Sequence, residues 1–516
     1  MDNYKYNYNK SLFLKQGAVL TLVSVFLRLT NIFYRSFLSG KMGSEGLGVY
    51  QLIFSVFTLS VTLSTSGVSL AVTRLVSKVI AEKNEGSVKK VIRRCLLFSF
   101  LLSIFISLLL FIFSDFLALY FLKDINLSPC LKILSLGLPF MAMCTSFKGY
   151  FLALDKGTVT GIADTLEQIL TILLCVIFFN IFSLNSIISG CTAAMAASSL
   201  GETVSFIYNY ISYRKSLKKF KNKNKTKTKL PENYVRNGLV HIDLPCTLSS
   251  AARSLLGTLE NLLIPIKLTE LGLKRNAALS SYGILQGMAV PIVYFPSSFL
   301  SSFAFLLIPK ISFDRETNRK KHLSFLTEKA LYSALSFSFF FLSLFYLCSE
   351  EFSLLIYNNA EAGAFIRLLA PLVPLMYLDI VVDNLLKGMD KQFDSMKFNM
   401  LDAFLRVALI YLFMGKFGMN AYISIIWFST VFNAALSLNK LIKVTEIGIN
   451  NFFPLLILLP SSFLSVQFSS ALSSLLPFKD NLLLSLIFTT AVSGAGYLFI
   501  NLLLNKKKGR NNSALL

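Results

Sequence analysis

The chain has 516 residues, of which 54% are hydrophobic and only 15% are charged, and it contains 48 Phe but one Trp. A soluble protein must present much of its surface to water, so this composition excludes a soluble enzyme, a disordered protein and a secreted disulfide scaffold. The formal net charge is +23. In a membrane protein the information lies in where along the chain those charges fall.

Continuous apolar stretches of about 20 residues predict membrane-spanning helices, because a helix of that length crosses a bilayer core about 30 Å thick. The sequence contains fourteen such stretches, and it therefore predicts an all-α polytopic membrane protein. In chain order they are 17–38, 47–70, 95–115, 127–153, 158–181, 187–210, 238–266, 280–307, 323–347, 363–386, 398–414, 419–439, 451–474 and 481–504. The weakest are 398–414, which is short, and 238–266, which contains Pro245 and Pro265.

The basic residues test this count of spans. If the N-terminus is inside, 35 Lys and Arg fall in the connections on that side and 7 in those on the other side. The positive-inside rule then predicts a multi-pass protein of the cell membrane with both termini cytoplasmic. No small-residue cleavage site follows the first apolar stretch, so no cleavable signal peptide is expected.

The longest polar interruption is 211–236, which includes KKFKNKNKTKTK. This composition cannot build a core, so it predicts a disordered cytoplasmic linker, to which anionic membrane lipids are attracted. Nothing aromatic interleaves the lysines, and nucleic-acid binding is not expected. The predicted organisation is an N-lobe of six spans, the linker, a C-lobe of six spans, and two extra spans with a basic tail, at 1–210, 211–236, 237–441 and 442–516.

The two lobes resemble each other weakly in sequence. Asp155-Lys156 follows span four and Asp390-Lys391 follows span ten, while GSEGLGVYQ before span two is similar to SSYGILQG in span eight. Six spans separate the equivalent segments, so the repeat is parallel. Two pseudo-symmetric six-helix lobes around a central cavity are expected, with the substrate between them.

Charged residues inside spans mark the candidate site, because a charge at the bilayer centre is costly unless it faces a cavity or a partner. In span one, Thr21, Ser24, Arg28, Asn31 and Arg35 are spaced by three and four residues and share one helix face. Two other interpretations stay open: the Arg35 side chain extends to the membrane interface, and Arg28 forms a structural ion pair with an acid on a neighbouring helix.

Span seven begins the second lobe and corresponds to span one. It carries Arg253 and Glu260 on one face, with Gly257 between them. The leading helix of each lobe thus presents Arg toward the expected cavity. Arg binds phosphate with paired donors, so the predicted substrate is an amphiphile with a phosphate head, a sugar and a hydrocarbon tail.

Other charged residues near the cytoplasmic ends of spans are predicted to form gates or lobe–lobe pairs, with solvation at the interface as the alternative. These are Lys148, Asp164, Glu167, Asp379, Asp383 and Lys387. Asp402 and Arg406 are four residues apart and predict a structural ion pair. The seven Cys and two His form no metal-binding pattern, so no metal and no cofactor are expected.

The stretches KQGAVLTLVSVFLRLTNIFYRSFLSGKMGSEGLGVYQ, SGVSLAVTRLVS, LSPCLKILSLGLPFMAMCTSFKGYFLAL and LLKGMDKQ resemble the stage V sporulation protein B family. That family lies in the multidrug/oligosaccharidyl-lipid/polysaccharide (MOP) exporter superfamily and is related to lipid II flippases. The resemblance implies a MATE-like arrangement of 6+6+2 helices. It also implies cavity arginines, for which Arg28, Arg35 and Arg253 occupy comparable places.

The combined prediction is a non-enzymatic, alternating-access flippase for lipid II, the undecaprenyl-diphosphate-linked peptidoglycan precursor, in spore cortex or cell-wall synthesis. Arg28 and Arg253 are expected to bind the diphosphate with help from Asn31, and Arg35 is expected near the exit. Glu260 is expected to pair with an arginine when the site is empty, and cell-wall synthases are expected partners. No GxxxxGK[ST] motif is present, so the energy source is open.

Three alternatives stay open from sequence. The first is export of another lipid-linked polysaccharide precursor. The second is a cation-coupled multidrug antiporter, which requires a carboxylate in the first lobe, and its candidates are Asp164, Glu167 and Glu202. The third is a membrane scaffold that recruits wall synthases.

Overall fold

The computed structural model describes residues 10–82, 85–182, 186–220, 234–448, 457–477 and 481–513. Every regular element within these ranges is helical. Nine helical segments of the described chain are long and apolar enough to cross a membrane. The predicted all-α polytopic class is confirmed, while the count of fourteen spans and the position of the termini stay predictions.

Contacts among the helices divide the chain into two compact units, 1–283 and 284–516. The boundary falls inside the predicted C-lobe, and the limits of the predicted lobes stay a prediction. The helices of the first unit are α1 (Lys10–Thr65), α2 (Val68–Ala81), α3 (Glu85–Ile112), α4 (Ser114–Phe116), α5 (Ser128–Ala153), α6 (Gly157–Ile181), α7 (Ile187–Phe220), α8 (Tyr234–Glu270) and α9 (Arg275–Tyr282). A π-helical turn, Leu117–Phe121, follows α4.

The second unit contains ten α-helices among its described residues. They are α10 (Val290–Tyr294), α11 (Ser297–Glu316), α12 (Lys320–Leu347), α13 (Ser349–Tyr357), α14 (Ala360–Leu369), α15 (Val373–Gly388), α16 (Gln392–Leu409), α17 (Gly415–Thr445), α18 (Leu458–Ser474) and α19 (Leu482–Ser513). Both weak stretches of the sequence are helical: α8 runs through its two prolines, and α16 continues into a π-helical turn, Ile410–Met414.

Spans one and two lie in α1, which is interrupted at Gly43. That residue has φ 71° and ψ −178°, a backbone conformation that glycine adopts without steric cost. The helix ends at Thr65, before the predicted end of span two, and α2 occupies part of the predicted cytoplasmic connection 74–94. α2 is helical because its apolar face is buried against α3 and α5.

The prediction of an unstructured linker over 211–236 is wrong at both ends. Helix α7 continues to Phe220 and α8 begins at Tyr234, while 221–233 lie outside the described residues. Helix α7 extends because its next two turns carry groups that α5 can pack against. Tyr213 is buried edge-on against Tyr150, and the Tyr150 hydroxyl donates to Ser216 Oγ at 3.0 Å.

The two Asp-Lys turns predicted as a repeat have the same backbone structure. Asp155 and Asp390 adopt left-handed conformations, with φ 53° and 56°. The Lys156 amide donates to the Phe151 carbonyl and the Lys391 amide to that of Leu386, both at 2.8 Å. In both turns the preceding Asp amide donates three residues back, at 3.1 Å. These are Schellman caps that end α5 and α15, and Asp tolerates the left-handed position better than most residues.

The second repeated segment forms a close packing contact within the first unit. A Cβ added at Gly48 would lie 2.1 Å from the Leu279 carbonyl oxygen, and one added at Gly283 would lie 2.1 Å from that of Ser44. The Ser44 and Ser280 hydroxyls are 2.6 Å apart in a hydrogen bond. The end of α9 therefore packs on α1 at backbone contact distance, which only glycine permits at these two positions.

In the second unit, buried hydroxyls join α12 to the last two helices. The Ser343 and Ser462 hydroxyls are 2.6 Å apart, and the Tyr497 hydroxyl donates to the Ser336 carbonyl at 2.7 Å. Such bonds between helices hold apolar segments together where lipid provides no hydrophobic drive to associate. They attach α18 and α19 to the core of this unit.

Gly48→Ala is expected to lower the melting temperature of the purified protein, because the new methyl group overlaps backbone that cannot rotate away. Overpacking of this kind costs about 1–3 kcal/mol. Gly40→Ala is the matched control in the same helix, since a Cβ there meets no atom within 4 Å in the described part of the chain. Equal melting temperatures for the two variants would contradict the close packing.

Candidate functional site

The predicted residues of α1 form a connected polar face. Arg35 Nε donates to Asn31 Oδ1 at 2.8 Å, so the amide orients the guanidinium along its own helix. Arg35 is half-buried, whereas Arg28 is exposed. The seven residues between the two arginines correspond to about 10.5 Å along the helix axis.

Arg35 lies beside a group of buried phenols. The guanidinium is within electrostatic range of the hydroxyls of Tyr50 and Tyr282, which are 9% and 1% exposed. The Tyr34 ring packs edge-on against Tyr50, with centroids 6.3 Å apart. Arg35 therefore has buried phenols within electrostatic range, while its position in a cavity or at the membrane interface stays a prediction.

Glu260 reaches the same phenol from α8. Its side chain is buried, and it is within electrostatic range of the Tyr282 hydroxyl, as Arg35 is. Two charges of opposite sign on α1 and α8 therefore converge around one buried tyrosine of α9. We call Arg35, Glu260 and Tyr282 the charged junction.

Helix α8 runs antiparallel to the second half of α1. The Gly67 amide donates to Thr247 Oγ1 at 3.3 Å, and the Thr258 hydroxyl donates to the Ser55 carbonyl at 3.0 Å. In the predicted topology the first half of α1 also runs opposite to the second half. The first half of α1 and α8 then share a direction, as expected for the leading helices of a parallel repeat.

Arg253 precedes Glu260 on the same helix face, again by seven residues or about 10.5 Å. It is exposed, and a Cβ added at the intervening Gly257 would meet no heavy atom within 4 Å among the described residues. Arg28 thus precedes Arg35 by the same seven residues by which Arg253 precedes Glu260. Both arginines lie on the N-terminal side of the charged junction in their helices. Both arginine residues are exposed.

Lys148, Asp164 and Glu167 meet in the first unit. Lys148 Nζ lies 2.8 Å from Asp164 Oδ1, an ion pair between α5 and α6. Glu202 of α7 joins them, because its carboxyl group is within electrostatic range of Glu167 and Lys148. We call these four residues the acidic cluster. Their role as a gate stays a prediction.

Sequence reasoning placed Glu202 only among the carboxylates that an antiporter requires. Helical spacing groups Asp164 with Glu167 on α6, but it gives no relation to a residue on α7. The signal that identifies Glu202 is its burial, 7% exposed, which is costly for a carboxylate without partners.

Asp379 and Asp383 are bonded by neutral donors from α16 and α17. Asn433 Nδ2 lies 3.0 Å from Asp379 Oδ2, and Asn399 Nδ2 lies 3.0 Å from Asp383 Oδ2. Lys387, predicted beside them, is exposed. These contacts lie within the second unit, and a gate role for the three residues stays a prediction.

The predicted structural ion pair on α16 is confirmed. Arg406 Nη2 lies 2.6 Å from Asp402 Oδ2, and Ser429 bonds to both side chains. Its third partner comes from α17, which spacing along one helix does not reveal.

The MatE family profile matches residues 19–183. Stage V sporulation protein B of Bacillus subtilis (strain 168) is 25% identical over 412 residues, which are 78% of this chain and 78% of that protein.

Solved structures share the fold. The lipid II flippase MurJ, in an inward closed conformation, covers 95% of this chain and 99% of its own, with a TM-score of 0.68 and 16% identity. An inward-facing multidrug resistance MATE transporter of the MOP superfamily covers 83% of this chain and 99% of its own, with a TM-score of 0.61 and 14% identity. The chain is therefore a multi-pass membrane protein with a MATE-like fold, and its sequence is similar to stage V sporulation protein B.

Proposed function

We propose that the chain is a flippase that moves a lipid-linked oligosaccharide from the inner to the outer leaflet of the cell membrane. The observation that carries this proposal is the equal placement of Arg28 and Arg253. Both are exposed, and each lies seven residues, or about 10.5 Å along the helix axis, before a charged residue of the junction, on one of two helices that pack in the same unit.

Two accessible arginines favour a substrate with more than one phosphate. A guanidinium donates two parallel hydrogen bonds to phosphate oxygens and stays charged at every physiological pH. A diphosphate offers oxygens to both side chains, and Asn31, bonded to Arg35, extends the polar face toward the bound headgroup. We propose undecaprenyl-diphosphate-linked peptidoglycan precursor, lipid II, as the substrate.

In this proposal the diphosphate headgroup moves from Arg28 and Arg253 toward the charged junction, where its path ends. Glu260 offsets the charge of Arg35 while the site is empty, since a buried charge without a counter-charge is expensive. An arriving diphosphate competes with Glu260 for the guanidinium, which couples headgroup position to the packing of α9. Rocking of the two predicted lobes would then expose the headgroup on the outer side.

The biological setting of this proposal rests on the relative. Similarity to stage V sporulation protein B supports a role in spore cortex or cell-wall synthesis, with wall synthases as partners that use the lipid outside. The predicted cytoplasmic connections are basic, so they would bind anionic lipid headgroups. The same charges would keep both termini on the cytoplasmic side.

Arg28→Ala and Arg253→Ala are each expected to slow flipping by about tenfold or more, because a hydrogen bond to a charged group is worth about 1.5–3 kcal/mol. The measurement is leaflet accessibility of lipid II in vesicles reconstituted with each variant. Arg28→Lys keeps the charge but loses the paired donors, so an intermediate rate is expected.

Arg93→Ala is the matched control for these two variants, since Arg93 is an exposed arginine in a predicted cytoplasmic connection. Its rate is expected to equal that of the unchanged protein. If Arg28→Ala and Arg253→Ala also flip lipid II at that rate, the assignment of the diphosphate site is wrong.

The second candidate function is a cation-coupled multidrug antiporter, and the acidic cluster favours it. Three carboxyl groups lie near a single lysine there, and carboxylates close to one another favour binding of a proton. A site that exchanges this proton with a membrane gradient would suit drug export.

Glu202→Gln discriminates between the two candidates. In an antiporter it should abolish export of a cationic dye driven by a pH gradient, because the amide cannot exchange a proton. Asp115→Asn is the control, since Asp115 is an exposed acid that pairs with Lys132 at 2.8 Å. We expect that the unchanged protein and both variants export no dye, and that both variants flip lipid II at nearly the unchanged rate. Dye export that is present in the unchanged protein and in Asp115→Asn but lost in Glu202→Gln would favour the antiporter.

A further inference from the structure

Arg275, a residue with no role in the proposed binding site, ties the start of α9 to a distant connection. Its Nη1 donates to the Lys123 carbonyl at 2.8 Å, and its Nη2 donates to the Leu122 carbonyl at 2.9 Å. Asp124 Oδ2 lies 3.5 Å from Nη1 and supplies the opposite charge. One side chain thus holds three consecutive residues.

The backbone of residues 122–124, to which Arg275 bonds, has a conformation suited to this contact. Leu122 and Lys123 directly follow the π-helical turn Leu117–Phe121, and carbonyl groups at a helix C-terminus carry partial negative charge. Lys123 adopts φ 58°, and Asp124 caps the next turn by accepting from the Asn126 amide at 3.1 Å. The left-handed Lys123 allows two successive carbonyls to bond one guanidinium.

A second set of contacts holds the other end of α9. Ser280 bonds to Ser44, and Gly283 packs on the backbone of α1 at Gly48. Tyr282, one residue earlier, is the phenol of the charged junction. The short helix α9 is therefore fixed at both ends, and between them it carries one member of the proposed substrate path.

All three segments that meet here belong to the predicted outer side. The connections 39–46, 116–126 and 267–279 fall on that side when the N-terminus is inside and the fourteen predicted spans alternate. Their contact is the arrangement expected of a closed outer end. To release a headgroup outward, α9 must leave the Ser44–Gly48 segment of α1.

We infer that Arg275 is an outer latch: its bonds to the 122–124 connection hold α9 closed on α1 and set how often the outer end opens. The inference rests on the proposed function, since opening matters only in a transport cycle. Arg275 is here a positioning residue, which acts on the substrate path through α9 and Tyr282.

The experiment measures closure without any substrate. Ser44→Cys and Ser280→Cys are combined, because the hydroxyls they replace are 2.6 Å apart and within reach of a disulfide. A protease site inserted at position 225 leaves the two fragments joined only by that disulfide on a non-reducing gel. The six described natural cysteines are buried.

In the double-cysteine protein we expect rapid disulfide formation. Adding Arg275→Ala is expected to slow it by about tenfold or more, since one lost hydrogen bond that involves a charged group corresponds to roughly that factor. A membrane-impermeant maleimide added outside should label the thiol introduced by Ser280→Cys faster, by a similar factor. Lys274→Ala removes the same charge from the exposed neighbouring residue and is expected to change neither rate.

Melting temperatures separate a latch from a merely structural contact. Arg275→Ala and Lys274→Ala should melt alike while they differ in disulfide rate. Should Arg275→Ala fold poorly, Arg275→Lys replaces it, because lysine keeps the charge but cannot bond both carbonyls in fixed geometry. Disulfide rates for both Arg275 variants equal to that of Lys274→Ala would overturn the latch.

Flipping assays distinguish failure of the latch from failure of the proposed function. The completed disulfide is expected to stop lipid II flipping, and a reducing agent is expected to restore it. Undiminished flipping by the fully crosslinked protein would overturn the role of the latch in transport. If the reduced protein does not flip lipid II, the proposed function fails, while the disulfide rates still decide the latch.

Discussion

The cost of a charge in a membrane-spanning helix is the constraint on which the rest of this structure depends. Three kinds of accommodation occur among the charged residues described above. Lys148 has an opposite charge in Asp164, Asp379 has the neutral amide of Asn433, and Arg253 stands beside open space at Gly257. In the first two cases the charged group has a partner within the protein, and in the third the charge stands beside open space that a ligand can enter.

Close packing determines where these charges meet. Gly48 and Gly283 let α9 approach α1 at backbone contact distance, and that approach places Tyr282 within range of both Arg35 and Glu260. A bulkier residue at either glycine would move α9 away from α1, and with it Tyr282 away from Arg35. The electrostatics of the candidate site therefore depend on a packing contact made by uncharged residues.

The internal repeat is present in the backbone but not in the charged side chains. The turns at Asp155 and Asp390 have the same hydrogen bonds, so the local cap is repeated. The charged residues around these turns are not repeated, because Lys148 pairs with a carboxylate whereas Asp383 bonds to Ser395 and Asn399. The backbone framework is common to both halves, while each half accommodates its own polar residues.

The sequence by itself determined the class of the protein, the position of most helices and the residues that share a helix face. These follow from hydrophobic length and helical periodicity, which are properties of one segment at a time. The Arg28–Arg35 and Arg253–Glu260 faces and the Asp402–Arg406 pair were all predictable in this way. The helical ends of the predicted linker were not predictable from the sequence. Helix α7 extends there because Tyr213 packs on α5, and this contact depends on a distant segment.

Only the tertiary structure decided which faces meet. Glu202 joins Asp164 and Glu167, Arg35 and Glu260 converge on Tyr282, and Arg275 reaches a connection about 150 residues away in the chain. Apolar helices present similar surfaces of Leu, Val and Phe, so the sequence of one helix does not specify its neighbour. Small residues and buried hydroxyls make that choice, and their effect depends on the partner helix that lies opposite them.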